Sequence, residues 1–85
     1  MRAVSMRHTV VPSAEREAFH RQATASRAHY SSSGCRYWLY QEDGLPGAYV
    51  EFFEAPDKET LQRAQRAAGP AATTTSRLYI EVELT

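Results

Sequence analysis

The chain has 85 residues, ten of them basic and ten acidic, so its formal net charge is zero, and only fourteen residues are Leu, Ile, Val or Phe. That length predicts a single domain, 1–85, with a thin core, while the balanced charge argues against a general binder of nucleic acid or anionic membrane. Low net charge also argues against disorder, so the aliphatic shortfall is to be met by aromatic side chains and by a face buried against a second copy of the chain.

The single cysteine, Cys35, cannot form an intramolecular disulfide, and the opening "MRAVSMRHTVV" holds no apolar run of signal-peptide or membrane-span length; both point to a cytoplasmic protein. Arg outnumbers Lys nine to one and Asn is absent, a bias compatible with a GC-rich bacterial genome.

In residues 2–11, Val4, Met6, His8 and Val10 alternate with Ala3, Ser5, Arg7 and Thr9, the period of a half-buried strand. Pro12 and Ser13 open a helix with Ser13 as N-cap and Glu15 and Glu17 near its positive end. Its buried stripe is Phe19, Ala23, Ser26 and Tyr30, and the Ser31–Gly34 run ends it. Cys35–Glu42 and Ala48–Glu54 read as two strands of a hairpin around "DGLPG". Pro56 and Asp57 open a second helix with Asp57 as N-cap and Leu61, Ala64 and Ala68 inward, stopped by Gly69 and Pro70. After the "AATTTS" loop, Leu78, Ile80, Val82 and Leu84 alternate with Tyr79, Glu81 and Glu83 in a last strand. The order βαββαβ predicts an α+β, ferredoxin-like domain: one four-stranded antiparallel sheet with both helices on one face.

The other face of that sheet is then open, and its contents follow from parity. The aliphatic set of the last strand must face the helices, because Glu81 and Glu83 could not be buried there. A hairpin that pairs Glu42 with Gly47 sets Tyr40 opposite Tyr49, Trp38 opposite Glu51 and Arg36 opposite Phe53. The open face is expected to carry these six with Tyr79, Glu81, Ser5 and Arg7, while Tyr37, Leu39, Val50 and Phe52 join Val4, Met6 and Val10 under the helices. A surface half aromatic and half charged is the mixture of an interface that encloses a pocket.

The element order, the small-residue turn into "GCRYWLY" and the run "PGAYVEFFEAPDKETL" resemble the dimeric α/β-barrel superfamily, in particular its antibiotic biosynthesis monooxygenase-like domains. The resemblance implies a homodimer whose sheets pack into a barrel, with a pocket on the open face of each. It also implies an activity of the kind found there, such as cofactor-independent monooxygenation of a quinol or polyphenol. Arg36, Trp38, Tyr40, Tyr49, Phe53, Tyr79 and Arg7 would then hold a small aromatic substrate, with no cofactor and no metal. The haem-degrading branch uses an Asn, Trp and His set, and a chain without Asn does not match it. Another branch, stress-responsive barrels and polyketide cyclases, uses a His and Tyr as acid–base partners. His8 is the candidate by element, although its parity sets it under the helices.

Trp38, Glu51 and His8 are therefore the catalytic candidates, each weighed against a structural role. Apolar neighbours such as Trp38 and Phe53 could make Glu51 or Glu81 a base, but Arg36, Arg7 or Arg77 could neutralise the two as interface ion pairs across the dimer. Trp38 equally suits an interface anchor. His20 and His29, nine residues apart on one helix, face opposite ways and make no metal pair.

Two other functions fit the same elements. One is a non-catalytic ligand-binding or structural dimer, since no nucleophile elbow, phosphate loop or metal cluster is present. The other is an RNA-recognition-type module, whose third-strand signature "PGAYVEFF" resembles in part. Against it stand a missing residue between Gly47 and Ala48, a first strand without aromatics, and the neutral charge.

Overall fold

A computed structural model gives the fold and describes residues 1–69 and 77–84; the expected Pro70 stop and the "AATTTS" loop lie outside them. The order is β1 (Ala3–Val10), a 3-10 turn (Ser13–Glu15), α1 (Arg16–Ser32), β2 (Arg36–Gln41), β3 (Ala48–Ala55), α2 (Lys58–Ala68) and β4 (Arg77–Ile80). The strands form one antiparallel sheet in the order β2-β3-β1-β4. α1 packs on β2 and α2 on β3, covering one face. This is the expected ferredoxin-like α+β architecture.

The helices form where their sequences favour them. Asp57 caps α2 by accepting a hydrogen bond from the Thr60 amide at 2.7 Å, which satisfies a donor that the first turn leaves unpaired. α1 begins differently from expectation: Ser13 belongs to the 3-10 turn, and no side chain caps the helix. The stripe is as expected, with Ala23 and Tyr30 buried and Phe19 and Ser26 half-buried. Tyr30 packs on Phe53 with ring centroids 4.9 Å apart, and Phe19 stacks on Tyr49 at the same separation. On α2, Leu61 and Ala64 are buried, whereas Ala68 is exposed.

The hairpin register corrects the expected faces. Tyr37 pairs with Phe53, Trp38 with Phe52, Leu39 with Glu51 and Tyr40 with Val50, one residue away from the expected pairing. The cause is the loop. Glu42 donates to the Ala48 carbonyl at 2.8 Å, while Leu45 donates back to Glu42 and Ala48 to Leu45, so five residues rather than four make the connection. Gly47 is drawn out of the ladder: its φ is +91°, and its carbonyl accepts from the Val11 amide at 2.8 Å. A one-residue slip exchanges the two faces of a strand.

Strand β1 follows β3. Ala3 and Ser5 are buried on the helix side with Arg7, whereas Val4 and Met6 lie half-buried on the open face and Val10 is 82% exposed there. Val4, Met6 and Val10 therefore do not belong to the helix-side core, and neither do Val50 and Phe52. The core is instead Ala3, Ala23, Tyr30, Cys35, Tyr37, Phe53, Ala55, Leu61 and Ala64, with Leu39 and Leu78 against it. Strand β4 keeps the expected parity, with Leu78 opposite Ser5 and Ile80 opposite Ala3, but stops at Ile80. Val82 and Leu84 lie beyond it and are exposed.

Candidate functional site

Five of the expected open-face residues lie on the helix side, Ser5 among them. Arg7, Tyr49, Glu51 and Phe53 all face α1, where Glu51 is 2% and Phe53 1% exposed. The physical reason is the register: Glu51 pairs with Leu39 and Arg7, both of helix-side parity. A buried carboxylate requires partners, and it has them. Arg7 Nε donates to Glu51 Oε1 at 2.8 Å, and the Tyr37 hydroxyl donates to Oε2 at 2.6 Å. Arg7 also lies 5.7 Å above the Phe53 ring. The ion pair expected across a dimer interface is instead formed within the chain, between Arg7 and Glu51.

This cluster shapes the ionisation of its members. Burial opposes the charge on Arg7, but the hydrogen bond and attraction from Glu51 outweigh it and raise its pKa. Burial raises the Tyr37 phenol far above its ordinary value, and the hydrogen bond to Glu51 adds to this. Tyr30, stacked on Tyr37 with centroids 6.1 Å apart, is pushed up to about 12 by burial. Its hydroxyl has no hydrogen-bond partner among the described residues. Neutral phenols around a neutralised ion pair make a cross-strand clamp rather than a free base. Nearby, His20 Nε2 shares a 2.8 Å hydrogen bond with the Tyr49 hydroxyl. The helical stripe turns Tyr30 to the sheet, whereas His20 lies outside that stripe and meets Tyr49 only through tertiary packing.

The open face is built in rows across the strands. Tyr40, Val50 and His8 form one; Trp38, Phe52, Met6 and Arg77 the next; Arg36, Glu54, Val4 and Tyr79 the third. Of the expected residues, Arg36, Trp38, Tyr40 and Tyr79 are here as anticipated. His8, expected under the helices, joins them in the row of Tyr40. Phe52, Val4 and Glu54 complete the surface; Phe52 and Glu54 come to this face because the hairpin loop has five residues rather than four.

Val4, Trp38, Tyr40, Phe52 and Glu54 line a groove of about 570 Å³. Tyr40 meets Phe52 edge-on at 5.5 Å, while Trp38 is 37% and Tyr40 54% exposed. Glu54 lies 3.7 Å from Arg2. The groove therefore offers aromatic faces for a flat apolar molecule and a carboxylate for a hydroxyl. Trp38 and Glu51, joined as catalytic candidates in sequence, lie on opposite faces of the sheet. Among the described residues no group of three or more His, Cys, Asp or Glu side chains could hold a metal ion. His29 Nε2 is hydrogen-bonded to the Ala64 carbonyl at 2.8 Å.

No helix among the described residues is long and apolar enough to cross a membrane. No family model matches the sequence, and no curated protein does. Among solved structures, the chain is similar to the crystal structure of the heme-degrading protein Rv3592 from Mycobacterium tuberculosis, heme-free with cleaved protein. The TM-score is 0.71 at 17% identity, covering 100% of this chain and 99% of that one. The chain shares that protein's fold across its whole length, a four-stranded antiparallel sheet with two helices on one face, of the ferredoxin-like α+β type.

Proposed function

We propose that the chain is a homodimer closed through its open sheet face, a dimeric α/β barrel of the antibiotic biosynthesis monooxygenase type. In this reading it oxidises a small quinol or polyphenol with dioxygen and no cofactor. The observation that carries the reading is the aromatic groove of Val4, Trp38, Tyr40, Phe52 and Glu54 on a sheet face that the helices leave bare. An apolar and aromatic surface of this kind marks an interface or a ligand site. The likeness to a heme-degrading protein of the same fold is consistent with a barrel that handles flat aromatic molecules.

In the proposed reaction, Glu54 or His8 takes the proton of a phenolic hydroxyl, and the phenolate gives electrons to dioxygen. One oxygen atom replaces a ring hydrogen to form a quinone carbonyl. The other leaves as water, so that phenol plus dioxygen yields quinone plus water without an external reductant. Trp38, Tyr40 and Phe52 stack the ring, and Arg36 and Tyr79 border it. Arg7, Tyr49, Glu51 and Phe53 have no part in this site.

A non-catalytic ligand-binding dimer is the second reading, favoured by one observation: the most deeply buried carboxylate, Glu51, is committed to Arg7 and Tyr37. One experiment separates the two. Enzyme-dependent oxygen uptake with a panel of hydroquinones and polyphenols, lost in Trp38→Ala and Phe52→Ala, is expected for the oxygenase. Quenching of Trp38 fluorescence by the same compounds without oxygen uptake would leave binding alone. The absence of both signals would overturn the groove as a ligand site.

A further inference from the structure

Two unpaired arginines share one place on the surface. Arg27, on α1, and Arg36, the first residue of β2, form no ion pair and no side-chain hydrogen bond among the described residues. Arg36 stands opposite Glu54 in the register, yet the Glu54 carboxylate lies 3.7 Å from Arg2 instead. Both arginines line a crevice of about 300 Å³ where α1 runs beside β2, together with Ser31, Cys35, Tyr37 and Trp38. Arg27 and Ser31 are one helical turn apart and so reach the same side of α1. The Ser31 hydroxyl has no partner among the described residues, and no acidic side chain is among those lining the crevice. Two guanidinium groups and a free hydroxyl around one concavity are donors without an acceptor, the complement of a carboxylate.

Trp38 joins this crevice to the aromatic groove, because its ring lines both. Arg36 lies two residues before Trp38 on the same strand and therefore on the same face, roughly 7 Å away along the backbone. A benzene ring with a carboxyl substituent covers that distance.

We infer that groove and crevice form one two-part site for an aromatic carboxylate. The ring stacks on Trp38 in the groove, and the carboxylate enters the crevice, where Arg27, Arg36 and the Ser31 hydroxyl donate to it. This rests on the groove as the ligand site proposed above and narrows its ligand from phenols in general to those that carry a negative charge. One charge suits the site better than two, because Glu54 opposite Arg36 repels the second. A neutral phenol forgoes the charge-assisted bonds, and that difference is the source of selectivity.

The test is calorimetric titration of the full chain with hydroquinone and with gentisate, the same ring carrying one carboxylate, with circular dichroism to verify that each variant is folded. Gentisate is expected to bind about ten-fold or more tightly than hydroquinone at low ionic strength, and the preference should decline as salt is added. Arg27→Gln and Arg36→Gln are each expected to lower gentisate affinity about ten-fold more than hydroquinone affinity. Arg63→Gln, which removes an equal charge from the exposed side of α2, should keep the preference. Equal affinity for the two compounds, a preference that survives both Arg27→Gln and Arg36→Gln, or one that Arg63→Gln abolishes as well, overturns the carboxylate crevice and leaves the groove standing. Binding of neither compound overturns the groove, and this site with it.

Discussion

Two tyrosines stacked in one core are expected to respond in opposite directions to loss of the hydroxyl. Tyr30 is 1% exposed and its hydroxyl has no partner among the described residues. Such a group carries a desolvation cost of about 1–3 kcal/mol. Tyr30→Phe keeps the ring against Phe53 and Tyr37 and removes that cost, so it should stabilise the fold by about 1 kcal/mol. Tyr37 donates at 2.6 Å to the buried Glu51 carboxylate. Hydrogen bonds to charged groups are worth about 1.5–3 kcal/mol, so Tyr37→Phe should destabilise by about 2 kcal/mol. For a domain of this size each kcal/mol moves Tm by about 4–8 °C, which separates the variants by upward of about 10 °C. Thermal and urea unfolding should be compared at one protein concentration, because the midpoint of any chain that associates depends on it. If Tyr30→Phe loses as much stability as Tyr37→Phe, the Tyr30 hydroxyl has a partner and the reasoning about this cluster is wrong.

Three further outcomes are expected. Burial raises the Tyr30 phenol from 10.0 to about 12, so the folded state holds this proton more tightly than the unfolded one. Its contribution is complete below the unfolded value and is lost as pH rises through the folded one; a urea midpoint that stays level between those two values, with Tyr30 intact, would contradict this. Gly47→Ala should cost about 2 kcal/mol, since an added Cβ meets the Val11 carbonyl oxygen at 2.5 Å and φ is +91°; a crystal structure and melt identical to wild type would refute the loop geometry. Asp57→Ala should lower stability by removing the α2 cap. The Asp57 carboxyl is lowered by its hydrogen bond from Thr60, so the capping contribution is present above the unfolded pKa and fades as pH falls through the folded one. The difference between wild type and Asp57→Ala should therefore shrink in acid, and a pH-independent difference would argue against the cap.

The element order, the antiparallel sheet, the stripe of α1, the Asp57 cap and the parity of Leu78 and Ile80 were all legible in the sequence, because each rests on a local period or a local hydrogen bond. Trp38, Tyr40, Arg36 and Tyr79 also fell on the anticipated face. Ser5, Arg7, Tyr49, Glu51 and Phe53 did not, nor did Val4, Met6, His8, Val10, Val50 and Phe52. Alternation says that two sets of side chains part company; which set meets the helices depends on register, and here register depends on whether Gly47 pairs or turns. The Val11 amide, brought in by β1 and the start of α1, holds Gly47 in the turn. That contact spans 36 residues of chain, so only the tertiary structure could decide which aromatic residues of the hairpin became core and which became a surface open to a partner.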